Sequence, residues 1–116
     1  MNRHKNSTIQ VILFNRNGVS LREIMPYYSS FYILLGGFLS VYRVKSNSNY
    51  SVALLTKKGD ESVKDSIVDL LVVKNHSSVI FLRENPVNNS LMSLTDEQKN
   101  EIEQLLNSEH PQITLY

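Results

Sequence analysis

The chain has 116 residues, 41% of them hydrophobic and 20% charged, with a net charge of +1 and no cysteine. That length predicts one domain with its own core. The absent thiol excludes disulfides, thiolate metal sites and cysteine nucleophiles, and it fits a cytoplasmic setting.

Residues 1–7 are polar and basic, and no apolar run of signal-peptide length follows them, so they read as an arm before a single domain of residues 8–116. Charge is unevenly spread. Residues 1–45 hold six basic side chains against Glu23 alone, whereas residues 46–116 hold six against ten acidic ones. A chain polarised in this way can present faces of opposite sign to its partners.

Thr8–Phe14 (TIQVILF) is β-branched and apolar and predicts a strand. Asn15–Gly18 supplies a turn, because Asn and Gly tolerate positive φ. Leu21, Ile24 and Met25 then fall at i, i+3 and i+4, which predicts a short helix from Ser20 that ends or kinks at Pro26. Phe31–Lys45 is apolar on both faces and predicts a long central strand, with Gly36-Gly37 as a bulge or a place where something approaches the backbone closely. The apolar run Tyr27–Tyr42 falls short of the roughly 20 residues a spanning helix needs, so no membrane span is expected. Ser46–Asn49 is a polar turn and Tyr50–Lys57 the returning strand of a hairpin.

Val63, Ile67, Leu70 and Leu71 form a helical stripe within Glu61–Val73, capped by Asp60 or Ser62; a strand at Ile67–Val73 is the competing reading. Val79–Arg83 predicts a last strand. Thr95 and Gln98 have capping-box spacing for a helix over Asp96–Asn107, whose narrow apolar face is Ile102, Leu105 and Leu106. The tail HPQITLY suits an edge strand or a loose end. The order strand, helix, strand, strand, helix, strand, plus a helix, predicts an α+β protein. Its expected form is the ferredoxin-like βαββαβ antiparallel sheet, with helices on one face and an extra carboxy-terminal helix. The other sheet face would then be open for a partner.

The chemistry-bearing motifs are few. Arg16, Asn17, Gly18 and Arg22 stand where free amides at a helix start, together with two guanidinium groups, favour an anion. Gly18-Val19-Ser20-Leu21-Arg22 resembles the G-V-x-x-R phosphate loop of the acylphosphatases, between their first strand and first helix. That resemblance implies phosphate hydrolysis with Arg22 as the phosphate ligand. The stretch Tyr42-Arg43-Val44 lacks the Asn with which that family positions a water.

The predicted topology is also that of RNA-recognition domains, which stack bases on sheet aromatics. Tyr50–Leu55 lacks their third-strand pattern, so nucleic acid is not an expected partner. His4, His76 and His110 lack metal-ligand spacing, Asp65 and Asp69 read as a solvated helix face, and no catalytic elbow or nucleotide loop occurs. No metal or other cofactor is expected, and no catalytic residue is assigned.

By elimination the sequence points to a small non-catalytic binding or regulatory protein of the inhibitor, immunity, anti-defence or accessory-factor type, with an acylphosphatase-like hydrolase and a sheet-based RNA binder as the alternatives. Its candidate contact residues are Phe31, Phe38, Leu39, Tyr42, Ile102, Leu105 and Leu106. The expected occupant is a protein partner, with a homodimer as one form.

Overall fold

A computed structural model describes residues 8–45, 51–63 and 65–116. The predicted arm and the predicted turn Ser46–Asn49 lie outside them. The first strand, β1 (Ile9–Asn15), forms as expected and turns back at once into β2 (Gly18–Ile24). After the helix α1 (Tyr28–Leu35), strands β3 (Leu39–Val44) and β4 (Ser51–Lys57) form an antiparallel pair. Next come β5 (Ile67–Asp69), helix α2 (Leu70–His76) and β6 (Val79–Glu84). The short β7 (Leu91–Met92), helix α3 (Asp96–Leu106) and β8 (Gln112–Thr114) complete the chain.

The main sheet is antiparallel with the order β2-β1-β6-β4-β3, β7 adding to the end of β6, while β5 and β8 form a separate pair. The protein is α+β, but this order is not ferredoxin-like. The physical reason lies at the first turn. Gly18 has φ +102°, and Asn15 pairs with Gly18 across a two-residue loop. Such a loop closes a hairpin, so the segment predicted as a helix from Ser20 continues as the edge strand β2.

A second correction concerns Phe31–Lys45. Its first part is α1 and not a strand. A continuous apolar run fits a helix and a buried strand equally well by pattern alone. Gly36 ends the helix in the left-handed region at φ +79°, with the Gly36 and Gly37 amides both donating to the Tyr32 carbonyl. The glycines therefore stop a helix where a bulge was expected. The predicted helix over Glu61–Val73 is also displaced. Asp69 accepts from the Leu71 amide at 3.0 Å and starts α2 there, after the short strand β5. Both readings of that stretch are thus partly realised.

Both faces of the sheet are covered. β6 is the reason, since Val79, Ile80, Phe81 and Leu82 are all fully buried and alternate between the two sides. Ile80 and Leu82 face α1, together with Val11 and Leu13 of β1 and Ala53 and Leu55 of β4; Phe31 and Leu35 close this layer. Val79 and Phe81 face the opposite layer, built from α2, α3 and the β5–β8 pair through Leu70, Ile102, Leu106 and Ile113. The expected open face, with all helices on one side, is therefore not present.

The α3 helix begins as predicted. Thr95 Oγ1 accepts from the Gln98 amide at 3.1 Å, and Gln98 Oε1 accepts from the Thr95 amide at 3.0 Å. Replacing Thr95 by Ala removes one half of this box and should cost about 1 kcal/mol in urea unfolding. Phe81→Ala opens a cavity in the centre of the larger layer, with an expected loss of about 3–5 kcal/mol in the same measurement.

Candidate functional site

The anion-binding candidates sit in and beside the β1–β2 hairpin. The Asn17 amide donates to Asn15 Oδ1 at 2.9 Å, which stiffens the turn from within. Arg16 donates to the Asn75 carbonyl at 3.3 Å, near the end of α2. Gly18 opens β2, and Arg22 lies further along it opposite Val11, its Nε directed at Ser20 Oγ at 3.3 Å. Gly18 and Arg22 stand four residue steps apart along the strand, or roughly 13 Å. The two arginines thus have different local partners, and no helix begins at this loop to supply free amides. The resemblance to a phosphate loop followed by a helix has no counterpart in this geometry.

A polar cluster that sequence reading missed joins the loop after β4 to the end of α2. The Asp60 carboxylate accepts from the Ser62 amide at 2.9 Å and from the hydroxyls of Ser62 and Ser77. It borders a recess of about 570 Å³ that also includes Lys57, Lys58 and His76. Partial burial acts to raise the Asp60 pKa, but the three hydrogen bonds and the charge of His76 outweigh it, so the group titrates below its ordinary value. Because both serine hydroxyls donate to an ionised carboxylate, the arrangement is a latch between two chain segments. Asp60 and Ser77 lie 17 residues apart, and nothing in their spacing marks them as partners.

Among the described residues, no group of three or more His, Asp or Glu side chains gathers for a metal ion. No helix there is long and apolar enough to cross a membrane.

The contact candidates separate into buried and exposed sets. Phe31, Ile102 and Leu106 are core residues, and Leu39, Tyr42 and Leu105 are half-buried against the core. Leu105 and Ile102 line a groove of about 510 Å³ between α3 and β8. Phe38 is different. It is 63% exposed and lies edge-on to Tyr32, with centroids 5.4 Å apart and planes at 85°.

Tyr32 also neighbours Tyr28 one turn earlier, at 6.4 Å. The i, i+4 spacing that sends Phe31 and Leu35 inward leaves Tyr28 and Tyr32 on a different side of α1. An aromatic row therefore runs along α1 to the start of β3, with Ile33 beside it at 77% exposed. From Met25 to Tyr42 the sequence contains no charged residue. The row was hidden in the sequence because Tyr32 and Phe38 read as strand and Tyr28 lay in a stretch with no assigned element.

Compared with protein-family models, curated proteins and solved structures, the chain matches none.

The Asp60 latch gives a pH prediction. A carboxylate whose folded pKa is depressed contributes stability that is present in full above its unfolded value, about 3.9. It loses that contribution as pH falls through the lower folded value. Asp60→Asn should therefore lower the midpoint of urea unfolding at neutral pH and narrow the gap to wild type below pH 4. A constant gap across that range would remove Asp60 from the acid limb.

Proposed function

We propose that the protein is a small non-catalytic binding protein that works through protein–protein contacts made by the outer face of α1 and the start of β3. An inhibitor, an immunity or anti-defence protein and an accessory factor are the forms this reading takes. One observation carries it: Tyr28, Tyr32 and Phe38 form a continuous exposed aromatic row in a segment without charge. Scattered exposed apolar side chains are ordinary on a protein surface, but a contiguous set marks a contact site. Aromatic residues are enriched in interface cores and charged residues depleted.

Aromatic anchors contribute most when a partner excludes water from them, and loss of a central one costs about 2 kcal/mol or more in binding. Phe38→Asp should therefore reduce capture of a stoichiometric protein partner at least 30-fold, measured against wild type by titrated pull-down from the native host. Arg22→Ala, on the opposite edge strand, should leave it unchanged. Full capture by a folded Phe38→Asp variant would remove this surface from the function.

A further inference from the structure

We infer that the occupant of this surface is a second copy of the chain, paired through the free part of the β3 edge; the inference rests on the contact reading above and names its partner.

The backbone of β3 supports it. The Lys58 amide donates to the Phe38 carbonyl, and β3 pairs with β4 in the register Leu39↔Lys57. Alternation then turns the amides and carbonyls of Ser40, Tyr42 and Val44 toward β4, and those of Leu39, Val41 and Arg43 outward. The outer lane is filled at one end. Lys45 donates to the Thr114 carbonyl, Tyr116 donates to the Arg43 carbonyl, and Val44 faces Leu115. Beside Leu39 and Val41, among the described residues, the lane is open.

Such an edge ordinarily carries a charge, a proline or a bulge that blocks pairing. The opposite edge strand follows the rule, with Arg22 and Glu23 exposed in β2. The free part of β3, Leu39-Ser40-Val41-Tyr42, has none of these.

The open segment is self-complementary about a two-fold axis. With the axis at Ser40, Leu39 of each copy faces Val41 of the other, and both are outward-turned residues that can exchange N–H···O bonds. The small Ser40 side chains meet at the axis, and pairing stops before the lane occupied by Thr114–Tyr116. Leu39 packs on the α1 layer, so alternation places Val41, 42% exposed, on the side of the sheet that carries α1 and its aromatic row. Tyr28, Tyr32, Ile33, Phe38 and Val41 together expose roughly 600 Å². A standard interface buries about 800 Å² on each partner, and the paired strand edge adds to this patch, which brings it near that size.

The test is the solution mass of the purified full chain by sedimentation equilibrium, with thermal unfolding as a control for folding. Wild type should give twice 13.3 kDa. Phe38→Asp should give 13.3 kDa, as should Val41→Pro, which removes an outward amide without taking a bond from β4. Folded variants that remain dimeric would overturn the inference, as would a wild type that stays monomeric at 100-fold dilution and at stock concentration alike. In that last case, a host protein captured by wild type and lost with Phe38→Asp leaves the contact reading standing with a different occupant. Capture unaffected by Phe38→Asp removes both.

Discussion

The constraint on which this structure depends is the burial of β6 on both sides. A strand whose first four residues alternate between two faces, all without solvent, must have an apolar layer above and below it. The flanking strands β1 and β4 meet the same demand, with Val11, Leu13, Ala53 and Leu55 on one side and Ile12, Phe14, Val52 and Leu54 on the other. Two layers are then required, and the chain supplies them unequally. Two helices and the β5–β8 pair cover one side. The eight-residue α1 covers much of the other.

That inequality explains why α1 has its composition. A short helix over a wide sheet buries what it can through Phe31 and Leu35, with Leu34 half-buried beside them. Its stability comes from this packing, because eight residues form no stable helix alone. Its start has no side-chain cap, and its end is made by Gly36 and Gly37. The Cβ of any other residue at position 37 would meet the Lys57 side chain at 3.0 Å, so the chain passes close to β4 as it leaves the helix for β3. The same glycines thus set both the helix length and the point where Phe38 emerges.

Much of this was legible in the sequence. The strands β1, β4 and β6, the hairpin pairing of β3 with β4, and the α3 helix with its capping box follow from local pattern. What failed was the assignment of segments whose local signals conflict. At Ser20–Met25 the spacing of Leu21, Ile24 and Met25 suits a helix, but Arg16-Asn17, followed by Gly18 at positive φ, closes a two-residue hairpin, and pairing along all of β1 outweighs the weak helical stripe. At Phe31–Leu35 the pattern is uniform, so only the sheet beneath decides between helix and strand. The first exchange puts β2 on one side of β1, so that β6 alone joins β1 to the rest of the main sheet and the order is not ferredoxin-like. The candidate sites moved with both exchanges: the loop around Gly18 lost its helix, Phe31 went into the core, and Phe38 stayed at the surface.

The uncharged run from Met25 to Tyr42 is only half explained by folding. The core needs Phe31, Leu35 and, in part, Leu34 and Leu39. It does not need Tyr28, Tyr32, Ile33, Phe38 or Val41, each of which is at least two-fifths exposed. A helix over a sheet is stable with a polar outer face, as α3 demonstrates with Glu97, Asn100, Glu103 and Gln104 turned outward. Two helices of one molecule thus solve the same packing problem with opposite outer faces. Aromatic contacts within the row contribute about 0.5–1.5 kcal/mol per pair, but such rings stack as well under a partner as under water. What distinguishes the α1 face is the absence of charge along it and along the strand that follows, up to the point where Thr114–Tyr116 covers the edge. The proposed contact with another chain accounts for a surface left apolar over a helix and an adjoining open strand edge; the stability of this chain does not require it.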